Sequence, residues 1–168
     1  MPTLILLRHA KSDYPPGVPD HDRPLSARGL ANAARIGERL REHIPASATL
    51  GVAVSSAKRT QQTWEVVQAD FERVDQQVDQ CWDDSALYLA QPAAIVEASR
   101  CFGTDVGIVV GHNPGLEELA LSIPGRAGAA SQIAVKFPTA AFAVIHIAGD
   151  DWEYSIDDAR LEAFMTCR

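Results

Sequence analysis

Apolar positions along the chain follow two rhythms. Continuous runs at 3–7 (TLILL) and 105–111 (DVGIVVG) have no polar face, the pattern of short strands buried on both sides of a parallel sheet. A third run at 49–56 (TLGVAVSS) predicts another strand. From about Ser26 to His43 the spacing changes. Leu30, Ala33, Ala34, Gly37, Leu40 and Ile44 fall near one helical face, Arg35, Glu38, Arg39 and Glu42 take the other, and Ser26 is suited to cap the N-terminus. Residues 57–71 repeat the helical rhythm, with Trp64, Val67 and Phe71 as the apolar stripe.

Beyond residue 75 the same reading predicts a strand in 76–82, a helix over 91–102 opened by Pro92, and a helix over 115–123 after Pro114. It predicts two strands within 132–149, divided near Pro138-Thr139, and an edge strand at 152–156 (WEYSI). Strands alternating with helices imply a three-layer α/β/α sandwich with a mostly parallel central sheet. One stretch fits no regular element: 11–24, rich in Pro and Asp and longer than most connections, is expected to lie over a site or to be disordered.

Composition narrows the function. A chain of 168 residues, 46% hydrophobic, suits a single domain over 1–168. A formal net charge of −7 disfavours nucleic acid or an anionic membrane as a partner, because both require a broad basic surface. Any bound anion must therefore be held by a local pocket. Three widely spaced cysteines without a CxxC pair indicate neither a disulfide framework nor a zinc site. No basic leader or long apolar segment opens the chain, so a cytoplasmic location is expected.

The buried strand 3–7 ends abruptly in Arg8-His9. In open α/β sheets ligands bind beyond the carboxyl ends of the strands, where Arg8-His9, Ser55-Ser56 and Gly111-His112-Asn113 would converge. Arginine offers phosphate a planar fork of donors, and helix N-termini add backbone N–H groups. A neutral His9 could attack phosphorus, with Arg8, Arg59 and His112 neutralising the phosphoryl oxygens. Arg59 falls in the first turn of its helix, where a cation opposes the dipole, so a phosphate-binding role gains weight. Lys11, Ser12 and Arg23 are further candidates for phosphate or substrate contacts, and Arg28 could reach the same crevice from the first helix, although ion pairs with Asp20 or Asp22 explain both arginines equally well.

The blocks LILLRHAKS (4–12), SSAKRTQQT (55–63) and VVGHNPG (109–115) resemble the three signatures of the histidine phosphatase, or phosphoglycerate mutase-like, superfamily. DHDRPLSARG (20–29), LYLA (87–90) and FPTAAFAV (137–144) are similar to its small SixA-type phosphohistidine phosphatases. The resemblance implies that His9 is the nucleophile, Arg8 and Arg59 the phosphate-binding arginines, and His112 the second pocket histidine, with no cofactor and no metal. Ala10 stands where many members have glycine.

Members acting on alcohol phosphates supply an acid to the leaving oxygen, and here Asp83 and Asp84 are the nearest candidates. An imidazole leaving group needs such an acid less. The expected activity is therefore metal-independent hydrolysis of protein phosphohistidine, with a phosphohistidine-bearing protein as partner. The alternatives are a small-molecule phosphomonoesterase and a phospho-ligand binding module without turnover. A metal-dependent hydrolase using His9, Asp20, His21, Asp22 and His112 as ligands is a third.

Overall fold

In the computed structural model, which describes residues Met1–Arg168, Leu4, Ile5, Leu6 and Leu7 are completely buried. They form most of β1 (Thr3–Arg8), a strand inside a six-stranded sheet. The chain continues through α1 (Ala27–Arg41), β2 (Leu50–Ser55), α2 (Lys58–Arg73), β3 (Gln80–Asp84) and α3 (Pro92–Ser99). It then forms β4 (Val106–Gly111), α4 (Gly115–Ser122), α5 (Ala127–Val135), β5 (Ala141–Ile147) and β6 (Ala159–Thr166).

The strand order is β3-β2-β4-β1-β5-β6. The first four run parallel, β5 is antiparallel to β1, and β6 is antiparallel to β5. Apolar clusters lie on both faces: Leu4, Leu6 and Val109 belong to one with side chains of α3, α4 and α5, and Ile5, Leu7 and Ile108 to the other with α1 and α2. This is the expected three-layer sandwich. No helix is long and apolar enough to cross a membrane.

Several expectations need correction. Residues 132–135 end helix α5 instead of forming a strand, and Val135 is exposed. A short apolar run does not distinguish the two states, and here the preceding Ala-rich turns extend into it. The segment 152–156 is not a strand: Trp152 and Tyr154 plug into the core, and the edge strand is β6, further along. The buried face of α1 agrees with the expected one at Ala33, Gly37 and Leu40 but is shifted elsewhere, with Asn32 and Ile36 inside and Leu30 and Ala34 outside. The helix ends at Arg41, and the strand expected in 76–82 starts at Gln80.

Candidate active site

Strand register builds the site. Arg8 pairs with Gly111 across β1 and β4, so the next residues of the two strands, His9 and His112, emerge side by side with ring centroids 5.3 Å apart. The His9 N–H donates to the Gly111 carbonyl at 3.2 Å, and the Ala140 N–H donates to the His9 carbonyl at 3.0 Å. Because β5 runs antiparallel, the turn that precedes it meets the same sheet edge, and the Phe137 carbonyl accepts from Arg8 Nη1 at 2.7 Å.

Helix α2 fixes the loop from its other side. Thr63 Oγ1 accepts the Ala10 N–H at 3.0 Å and donates to the Arg59 carbonyl at 2.7 Å, so one hydroxyl ties the residue after His9 to the helix that carries Arg59. Gly29 provides a further close approach. A Cβ there would lie 1.9 Å from the Lys11 carbonyl oxygen, which also accepts from the Ser26 N–H at 2.9 Å and from Ser26 Oγ at 3.1 Å.

The hydrogen bonds define the histidine tautomers. His9 Nδ1 lies 2.7 Å from the Ala10 carbonyl, which can only accept, so Nδ1 carries the proton. Arg59 Nε donates to His9 Nε2 at 3.3 Å, consistent with a lone pair on that atom. For His112, Nε2 is 2.7 Å from Ser55 Oγ and Nδ1 is 3.4 Å from Arg59 Nη2. A guanidinium only donates, so Nδ1 accepts and Nε2–H points to Ser55.

Both imidazoles are held neutral. Burial is the main cause in each case, and it pushes His9 and His112 down to about 3; neighbouring arginines add to the effect. Arg59, 3% exposed, turns its remaining donors to Asp20: Nη1 to the carbonyl at 2.7 Å and Nη2 to Oδ2 at 3.1 Å. A buried guanidinium paired with a carboxylate avoids the cost of an uncompensated charge.

Arg8, His9, Arg59 and His112 line one cleft of about 180 Å³ together with Lys11, Ser12 and Arg23. Arg23 is also spent on loop 11–24: it donates to the Asp13 carbonyl, to Asp20 and to Ser12 Oγ, and it stacks on Tyr14 at 3.5 Å from the ring centre. That loop is ordered over the N-terminus of α2, and its turn Asp20–Asp22 rests on the helix.

Asp83 and Asp84 do not reach the cleft. Asp83 accepts from Gln61 Nε2 at 2.9 Å, and Asp84 accepts the Ala86 N–H as a cap of the following turn. The carboxylate that does contact a cleft arginine is that of Asp20, on Arg59. Its Oδ2 also accepts from the Tyr88 hydroxyl at 2.5 Å, and this bond, aided by Arg23 and Arg59, lowers its pKa to about 2. No cluster of His, Cys, Asp and Glu suited to a metal forms, and His21 bonds instead to Ser56 Oγ. Sequence reasoning missed Tyr88 and Thr139, and read Asp20 only as an ion-pair partner or metal ligand; the LYLA block that contains Tyr88 was the available signal.

A sequence profile of the Histidine phosphatase superfamily (branch 1) matches residues 4–88. An uncharacterized protein of Mycobacterium tuberculosis is 38% identical over 149 residues, covering 85% of this chain and 88% of its own. The proposed phosphohistidine phosphatase SixA of Nakamurella multipartitia superposes with a TM-score of 0.82 at 26% identity, over 99% of this chain and 96% of that one. Its counterpart from Agrobacterium tumefaciens gives 0.77 at 26% identity, over 99% of both chains. The chain belongs to branch 1 of the histidine phosphatase superfamily and is of its SixA type.

Proposed function

We propose that this phosphatase hydrolyses protein phosphohistidine through a covalent intermediate on His9. The observation that carries the reading is the His9 tautomer: a neutral ring with its proton held by Ala10 and its Nε2 lone pair beside Arg59 in a cationic cleft. Nε2 attacks phosphorus, a P–N bond to His9 forms, and the P–N bond to the substrate imidazole breaks. The substrate ring leaves neutral and keeps its own ring proton. Phospho-His9 is then an imidazolium with Nδ1–H on Ala10. Water adds to phosphorus, the P–Nε2 bond breaks, and dihydrogen phosphate departs as His9 returns to its starting tautomer.

Neither step requires an outside acid, which matches the cleft: none of its lining residues is Asp or Glu, and Asp20 is too strongly ionised to donate a proton. An alkoxide leaving group would need one. Arg8 and Arg59 neutralise the phosphoryl oxygens, and Nδ1 of neutral His112 accepts from a P–OH of the departing dihydrogen phosphate, whose protons come from the water, with Ser55 holding the ring. The cleft is also smaller than the ~300 Å³ at which drug-sized ligand sites begin, and exposed Tyr14 and Leu89 flank it, as suits a phosphoryl slot reached from a protein surface.

The test is phosphate release, in EDTA, from a histidine-phosphorylated carrier protein and from an aryl phosphate. The carrier should turn over much faster with wild type, and His9→Ala should be folded and inactive on both. Turnover of the aryl phosphate alone would reassign the substrate to a small ester, and an active His9→Ala would remove His9 as the nucleophile.

A further inference from the structure

Next to the phosphoryl cleft lies a second groove, of about 210 Å³, that shares Arg8, Lys11 and Thr139 with it. Its remaining charged side chains are Arg28, Lys136 and Arg168, and no Asp or Glu lines it. Five of the fifteen Lys and Arg residues of an acidic chain are thus gathered in one place. None of the five is in an ion pair. Of the ten Lys and Arg residues elsewhere, seven have carboxylate partners, as Arg41 and Arg73 share Asp70 and Arg126 meets Glu162, and the three that do not, Arg35, Lys58 and Arg160, line no shared groove with one another. Glu117 attracts Arg8 from α4 without pairing with it; one of its oxygens is taken by the Asn113 amide and the Phe137 N–H.

Arg28 is the second residue of α1, where a cation opposes the helix dipole and where helix stability favours Asp or Glu. Mutual repulsion among unpaired cations costs stability as well. With 22 acidic residues available in the chain, this concentration of unpartnered positive charge is best explained by an anion that arrives from outside.

We infer that this groove is an acidic-peptide subsite: it receives Asp and Glu side chains that neighbour the phosphohistidine of the protein substrate. The inference rests on the phosphohistidine reading above. A rim of exposed cations contributes chiefly to encounter and register, so it governs KM more than kcat and is screened by salt. The shared Arg8 and Lys11 make the two sites contiguous, so one segment of polypeptide spans both.

The experiment uses two short histidine-phosphorylated peptides, one flanked by glutamates and the other by serines at the same positions. Wild type should favour the acidic peptide in kcat/KM by about ten-fold or more at low salt, with the preference fading near ~0.5 M salt. Arg28→Glu with Lys136→Glu should bring the ratio of the two peptides to one or below, and the milder Arg28→Gln with Lys136→Gln should lie between. Equal rates for the two peptides with wild type, or an unchanged ratio in folded variants, would overturn the subsite.

Anisotropy of the fluorescently labelled, unphosphorylated acidic peptide separates this result from the fate of the substrate assignment. If neither phosphopeptide turns over while an aryl phosphate does, the phosphohistidine reading fails. The groove then remains an acidic-peptide site, without a phosphohistidine beside it, if wild type binds the labelled peptide and the Glu variant does not, and the subsite falls altogether if wild type does not bind it.

Discussion

At the residue scale, the site depends on two histidines that the fold keeps uncharged. Each titrates near 3 in the folded protein because burial penalises the imidazolium, against an ordinary value of 6.5. Between those values the unfolded chain binds more protons than the folded one, so stability is full above about pH 6.5 and falls as the pH is lowered toward 3. Going from pH 7 to pH 5 should cost about 1–2 kcal/mol for each histidine. Urea unfolding should therefore show wild type losing that much more than His9→Gln over this interval. An identical loss in both proteins would mean that His9 is not buried as a neutral ring.

At the element scale, α1 is positioned by a contact that makes the usual helix rule fail. Replacing a helical glycine with alanine ordinarily stabilises by up to about 1 kcal/mol. At Gly29 the added Cβ would meet the backbone oxygen of Lys11 at 1.9 Å, an obstacle that no rotamer relieves. Overpacking against backbone costs about 1–3 kcal/mol and outweighs the propensity gain. Gly29→Ala should thus lower the urea midpoint, and by displacing the segment Lys11-Ser12 it should also lower kcat/KM; a more stable variant would refute the contact. The elements themselves were legible to different degrees. Strands β1, β2 and β4 were readable because continuous burial leaves a continuous apolar run. Strand β6 was not, because an edge strand is half-exposed and its residues alternate irregularly between buried and open.

At the scale of the whole molecule, the sheet has an apolar layer on each face, and neighbouring residues of β1 serve opposite layers. Leu6 packs with the α3, α4 and α5 side, and Leu7 with the α1 and α2 side. Leu6→Ala and Leu7→Ala should each cost about 2–5 kcal/mol in urea unfolding, since each deletes a fully buried side chain. A sheet covered on one face only would spare one of them. The same layering explains why the strand ends carry the chemistry: the strand interiors are sealed on both faces, so polar groups emerge only where β1, β2 and β4 stop.

The apolar rhythm of the chain determined the α/β class and most strands, and its signature blocks singled out Arg8, His9, Arg59 and His112, because burial and phosphate chemistry each restrict which residue types can stand at a position. Three-dimensional contacts decided the rest. The Arg8–Gly111 register brings the two histidines together, and bonds to Ala10, Ser55 and Arg59 set their tautomers. Gln61 and Ala86 occupy the acids that sequence offered, while Tyr88 and Arg59 gather Asp20 from a distant loop. A sequence lists the charges that are present, but which of them end up paired depends on distances that only the folded backbone creates.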